Sequence, residues 1–274
     1  MMNWLESIVY GLLSGISEFL PISSHAHQEL LRLIFGVEQA NPLVDFFVHL
    51  GMLLSVYSGC KTTIEHFRRD HRQHPGGTRR QSSRFSADVR FIKNATIPML
   101  IGIAVVSYIF NSTSSLLLTA LLLLINGIVI YIPSRVLQGD KDGRSMTLMD
   151  SLLVGFAGSV SAMSGISRVG AVVSVSTIRG ADRKNALNWA FLLSLPALII
   201  IMGIDLLQIF VSFGSLHFWS SLLSGVIAAM FSYVGGLISI ALMKFMSVRT
   251  GFSGFSYYCW GAALLTFILY LMVA

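Results

Sequence analysis

Apolar positions along this chain fall into long runs rather than into alternation or narrow stripes. Unbroken runs cover Leu43 to Cys60, Ala95 to Phe110, Leu116 to Ile132, Leu187 to Val211, Phe218 to Met243 and Phe255 to Val273. Each approaches the roughly 20 residues that a helix needs to cross a bilayer, the first being short. Two further apolar stretches are interrupted. Trp4 to Leu20 stops at Pro21 and a Ser-Ser-His cluster and is followed by an amphiphilic piece, Gln28 to Phe35, whereas Asp150 to Ile178 is broken by Gly155, Gly158, Gly165 and Gly170. Both stretches read as re-entrant hairpins, where irregular backbone is tolerated only if protein or a wet cavity surrounds it. The pattern predicts an all-α polytopic membrane protein, a single integral membrane domain over residues 1–274.

Composition agrees. With 54% hydrophobic and 12% charged residues and a mean hydropathy of +0.72, the chain has too little polar surface for a soluble domain of its size. The net charge of +6 brings nucleic acid to mind, but no nucleic-acid motif accompanies it. The bases instead sit between apolar runs: in the loop Lys61 to Lys93, around Arg135, Lys141 and Arg144, at Arg179, Arg183 and Lys184, and at Lys244 and Arg249. These segments are expected in the cytoplasm, with Asn111 to Ser115 and the carboxyl terminus outside. Cys60 and Cys259 lack ligand spacing. No Lys or Arg precedes Arg32, so the first segment does not read as a signal peptide and the amino terminus is expected to stay.

Shifting the chain by 144 positions aligns Gly11, Ser17, Ile22 and Ser23 with Gly155, Ser161, Ile166 and Ser167, and Asn41, Leu43, Phe47 and Leu54 with Asn185, Leu187, Phe191 and Leu198. One register serves both places, which suggests repeats of about 1–137 and 147–274. By the charge-derived topology the hairpins enter from opposite faces, so the repeats are inverted, and interrupted helices of such repeats meet near the midplane to form a site. Two unrelated small-residue segments that pack helices closely are the alternative.

The polar residues inside these hairpins cost roughly 2.5 to 3.5 kcal/mol each where they are ionisable, which marks them as functional candidates. A helix restarting after a break presents free N–H groups and a positive dipole end, an anion site. Around the second break Gly165, Ser167, Arg168 and Gly170 add a guanidinium suited to phosphate, and around the first Ser23 and Ser24 add hydroxyls. Arg168 could instead serve only as the partner of Glu18, and the two serines as helix caps. Ser24 and His27 are three residues apart, a candidate nucleophile and base. His25 points away from His27 and is read as structural. Asp45 and His49 share a helical face and either line the same cavity or meet water. The Ser/Arg-rich stretch from Arg68 to Arg84 is read as a solvated tether.

With these residues in view, the chain resembles the undecaprenyl-diphosphate phosphatase family, the integral membrane enzymes linked to bacitracin resistance. The first family motif, approximately EGxTEFLPVSSTGH, is matched by SGISEFLPISSHAH through Glu18, Phe19, Leu20, Pro21, Ser23, Ser24 and His27. The second, approximately PGxSRSGAT, is matched by SGISRVGAV through Gly165, Ser167, Arg168, Gly170 and Ala171. Asp45, His49, Leu50 and Gly51 correspond to a third acidic stretch. The resemblance implies removal of the terminal phosphate of undecaprenyl diphosphate at a cavity opening outward. It gives catalytic roles to Glu18, Ser24, His27 and Arg168, with Mg2+ or Ca2+ assisting and Glu18 a metal ligand. The departures are Ser14 where the family has an acid, Ser164 for a proline, and Val169 and Val172 for hydroxyls; Asp45 is the carboxylate placed to compensate.

The leading reading is therefore a lipid diphosphate phosphatase of the bacterial cell membrane. Arg168 and the helix ends, with Ser23, Ser167, Gly165, Gly170, Asp45 and His49, hold the diphosphate; Ser24 attacks or orients water, His27 moves the proton, and Glu18 binds metal or positions His27. A polyprenyl-phosphate transporter or flippase, and a headgroup-binding protein without turnover, are the other classes. Expected partners are the polyprenyl diphosphate substrate, membrane lipids and a second copy of the chain, with no nucleic acid.

Overall fold

A helix satisfies its own backbone except at its ends, so in an apolar medium the sequence must intervene there. The computed structural model describes residues 2–37, 40–65, 84–110, 115–137, 139–212, 218–249 and 252–273. Among these the principal helices are α1 (Trp4–Phe19), α2 (Ser24–Ile34), α3 (Pro42–Gly59), α4 (Arg84–Phe110), α5 (Leu116–Tyr131), α6 (Leu148–Ser159), α7 (Arg168–Ile178), α8 (Arg183–Ser212), α9 (Phe218–Arg249) and α10 (Gly254–Val273). Six of them, α3, α4, α5 together with the 3-10 turn Ile132–Arg135 that continues it, α8, α9 and α10, provide segments long and apolar enough to cross a membrane. The chain is a multi-pass membrane protein. The remaining four, α1 with α2 and α6 with α7, are the two interrupted stretches of the sequence.

The caps follow the 144-residue shift. Asn3 and Glu6 form a capping box at the start of α1, and Thr147 and Asp150 form one at the start of α6. Ser23 and Ser167 cap α2 and α7. Packing also exchanges partners between the halves: α1 lies on α9 and α6 on α4, while α3 meets α8 and α5 meets α10. Gly11 and Gly155 stand where these pairs touch. A Cβ on Gly11 would lie 2.2 Å from the Ala228 carbonyl oxygen, and one on Gly155 2.1 Å from that of Ala95.

Helix boundaries depart from the hydropathy edges. α4 begins at Arg84, inside the stretch read as the basic loop Lys61 to Lys93; residues 66–83, with most of the expected tether, lie outside the described ones. Its first turns are helical because Ala87, Phe91 and Ala95 are buried at four-residue spacing. Phe91 packs at 4.3 Å against Trp189, and Asp88 Oδ1 accepts from Trp189 Nε1 and the Gly143 N–H. Arg90 and Lys93 occupy the other, exposed face. α2 likewise starts at Ser24, four residues before the amphiphilic piece expected from Gln28.

The close approaches give a test. Gly11→Ala and Gly155→Ala are each expected to destabilise the detergent-solubilised protein by about 1 to 3 kcal/mol, the usual cost of overpacking against backbone. Gly203→Ala, where nothing lies within 4 Å of the added carbon, serves as the control and is expected to leave thermal unfolding unchanged. Equal melting of all three variants would contradict the packing.

Candidate active site

The two hairpin tips are buried, and they satisfy one another. Between α1 and α2 the chain turns through Leu20, Pro21, Ile22 and Ser23, and Ser23 adopts a φ of 68°. Before α7 it turns through Gly165, whose φ of 113° suits glycine. Ser23 Oγ accepts from the Gly165 N–H at 3.0 Å, and Ser167 Oγ donates to the Leu20 carbonyl at 3.1 Å. Asn126, on α5, closes the brace: its Oδ1 accepts from the Ser167 N–H at 2.9 Å and its Nδ2 donates to the Pro21 carbonyl at 3.1 Å. Ser23, Gly165, Ser167 and Gly170, expected to hold substrate, all lie at this junction of the tips. Gly170 lies so close that a Cβ there would stand 3.2 Å from Pro21 Cβ.

Beside this junction Glu18, at the end of α1, meets the first residues of the two restarted helices. Ser24 Oγ donates to Glu18 Oε2 at 2.5 Å. Arg168 Nη1 lies 3.0 Å from Glu18 Oε1, with both side chains about 5% exposed or less. The pair has ion-pair distance without hydrogen-bond alignment. Glu18 Oε1 and the Nη1 and Nε atoms of Arg168 therefore have no hydrogen-bond partner among the described residues. The positive ends of α2 and α7 face the same group. The result is a guanidinium with donors to spare next to a hydroxyl already hydrogen-bonded to a carboxylate, an arrangement suited to binding a phosphate and delivering an oxygen nucleophile.

A cavity of about 320 Å³ is reached from this group through His25, the residue that follows Ser24, and is lined by His25, Gln28, Glu29 and Arg32 of α2, by Asp45 and His49 of α3, by Asp205 of α8 and by Ser164; Glu18, Ser24 and Arg168 are not part of its lining. Spacing explains the first four: positions 25, 28, 29 and 32 form one stripe on a helix of 3.6 residues per turn. Asp45 accepts from Tyr10 Oη at 2.7 Å and stands 3.8 Å from Arg32 Nη1. His49 Nδ1 is 2.7 Å from Asp205 Oδ2. Glu29 Oε2 accepts from Ser164 Oγ and Thr119 Oγ1, each at 2.7 Å. Asp45 and His49 line one cavity, the first of the two alternatives that their shared face leaves open.

His27 is elsewhere. Its Nδ1 donates to the Ser23 carbonyl and its Nε2 accepts from Tyr258 Oη, both at 2.7 Å, and the two rings stack. It borders a separate apolar pocket of about 440 Å³ with Leu20, Ile22 and Tyr258. The expected Ser24 to His27 hydrogen bond is absent, because position 27 lies off the cavity stripe and Ser24 turns back to Glu18. His25, read as structural, is the imidazole on the cavity side. Asn126, Tyr10, Glu29 and Asp205 were missed as well. The stripe of α2 was a signal for His25 and Glu29, and an amide in the middle of an apolar span was one for Asn126.

The cation fares differently. A hard cation draws on several oxygen ligands. Among the described residues no three acidic, imidazole or thiol side chains converge to hold one, and both oxygens of Glu18 already face Ser24 and Arg168. Ser14, where the family pattern has an acid, presents a buried hydroxyl without a hydrogen-bond partner among the described residues, and Asp45 is tied to Tyr10 and Arg32. Among the described residues, those present do not fit a protein-held Mg2+ or Ca2+.

Comparison with known proteins gives this geometry a lineage. The chain is 32% identical over 271 residues to an undecaprenyl-diphosphatase of Thermodesulfovibrio yellowstonii, covering 97% of this chain and 96% of that protein. It is 27% identical to undecaprenyl-diphosphatase 3 of Bacillus cereus over 270 residues, 98% of each chain. The same identity holds over 278 residues to an undecaprenyl-diphosphatase of Methanobrevibacter smithii, covering 97% and 98%. A family model, that of the bacitracin resistance protein BacA, matches residues 7–265. Both hairpins and all six candidate spans fall at least in large part within that match, and the chain belongs to the BacA family.

Proposed function

We propose that this chain is an undecaprenyl-diphosphatase of the bacterial cell membrane, releasing the terminal phosphate of undecaprenyl diphosphate and leaving the undecaprenyl phosphate carrier for cell-wall synthesis. Family membership and the names of the relatives support the activity. The observation that carries it in this chain is the buried group of Ser24, Glu18 and Arg168 at the junction of two helix N-termini.

In this reading the unpartnered Nη1 and Nε atoms of Arg168 bind the terminal phosphate, and the two helix ends counter its charge. Glu18 Oε2 takes the Ser24 proton as Ser24 Oγ bonds to phosphorus and the bond to the undecaprenyl phosphate oxygen breaks. The repeats are inverted, and the cavity beside the site opens outward. Among the described residues the Lys and Arg near helix ends, apart from Arg32 and the buried Arg168, lie at the ends of their helices away from that cavity, as an outward mouth requires under the charge rule.

Two measurements test this. With purified protein and undecaprenyl diphosphate in detergent, Arg168→Ala, Ser24→Ala and Glu18→Gln are each expected to reduce phosphate release by roughly two orders of magnitude or more. Release unchanged in Arg168→Ala would sink the reading. For orientation, Cys60 and Cys259 are buried, so single cysteines can be introduced on a quiet background. Ser107→Cys, at the cavity, is expected to react with an impermeant maleimide on intact cells and Ser134→Cys only after permeabilisation; the reverse order would overturn the outward mouth.

A further inference from the structure

His25 and Gln28 take no part in the attack of Ser24, yet both line the cavity, and His25 directly follows Ser24 in the chain. His25 Nδ1 lies 3.3 Å from the Ser161 carbonyl, which fixes the proton on that nitrogen and leaves Nε2 as an acceptor. The ring is within electrostatic reach of Glu18 and Arg168, and it meets His49 edge-on with centroids 6.4 Å apart. Gln28, one turn further along α2 and only 3% exposed, lines the same cavity with its Nε2 buried and without a hydrogen-bond partner among the described residues. An unpartnered amide donor costs about 1 to 3 kcal/mol when buried, and the side chain that carries this one lines the cavity.

Resting on the phosphatase reading, we infer that His25 and Gln28 together hold and deprotonate the water that completes the reaction. After the first transfer, phosphorus is bonded to Ser24 Oγ and the serine proton is on Glu18. The Gln28 amide donates to the oxygen of a cavity water, and His25 Nε2 takes one of its protons as that oxygen bonds to phosphorus. The bond from phosphorus to Ser24 Oγ breaks, Ser24 Oγ recovers its proton from Glu18, and inorganic phosphate leaves by the cavity. His25 then returns its proton to water. His49 with Asp205, Glu29, and Asp45 with Arg32 are the other charged or titratable groups lining that space, and none of them needs to touch the reacting atoms. His27, turned to Tyr258, takes no part in this step.

The test is pre-steady-state turnover of undecaprenyl diphosphate by the purified full chain, following undecaprenyl phosphate and inorganic phosphate separately. His25→Ala is expected to give a rapid burst of about one equivalent of undecaprenyl phosphate, with inorganic phosphate release slowed roughly a hundredfold, the scale of general-base catalysis. Added imidazole is expected to restore part of that release, and His25→Thr, with the residue that the family pattern carries here, to resemble His25→Ala without rescue. Unchanged phosphate release in His25→Ala, or both products slowed equally with no rescue, would overturn the role of His25 and leave the phosphatase reading standing. Wild-type protein releasing no more phosphate than Arg168→Ala would instead sink the reading on which it rests.

Discussion

Everything here depends on peptide groups that a broken helix leaves without partners inside an apolar layer. Each such group costs about 1 to 3 kcal/mol if nothing meets it, and a membrane offers no water to do so. Neither hairpin tip solves this alone. Ser23 reaches across to Gly165, Ser167 reaches back to Leu20, and Asn126 serves both tips at once. Ser23 keeps an unfavourable positive φ because the side chain it presents that way is needed by the other tip.

The same brace makes the site. Joining the tips brings the first turns of α2 and α7 together, so two positive helix ends and Arg168 converge where one carboxylate, Glu18, balances them. A buried ion pair of this kind adds little to stability by itself, and removing one member leaves an uncompensated charge. The unpaired Arg168 donors are poised to bind a ligand, and a phosphate supplies what the protein withholds. Once Ser24 is committed to Glu18, the polar stripe of α2 is free to build the wall of the cavity from His25 to Arg32.

Long apolar runs and their interruptions made the spans and both hairpins legible in the sequence, and the pairing of Glu18 with Arg168 followed from the cost of charge in a membrane. Helix starts were less legible, because α4 continues into polar sequence wherever one face stays buried, as at Phe91 against Trp189. The serines and glycines of the tips were legible as important residues, but sequence does not show that their hydrogen bonds run across the junction. His27 drew attention by its nearness to Ser24 in sequence. Helical phase decides otherwise: position 25 faces the cavity and position 27 faces Tyr258.

The central claim is that the tips hold each other, and backbone hydrogen exchange reads it directly. In detergent micelles the Gly165 and Ser167 amides, outside any helix yet bonded to Ser23 and Asn126, are expected to exchange as slowly as amides in the neighbouring turns of α7. In Asn126→Leu the Ser167 amide is expected to lose that protection. Exchange of both amides at open-loop rates in the unaltered protein would contradict the account.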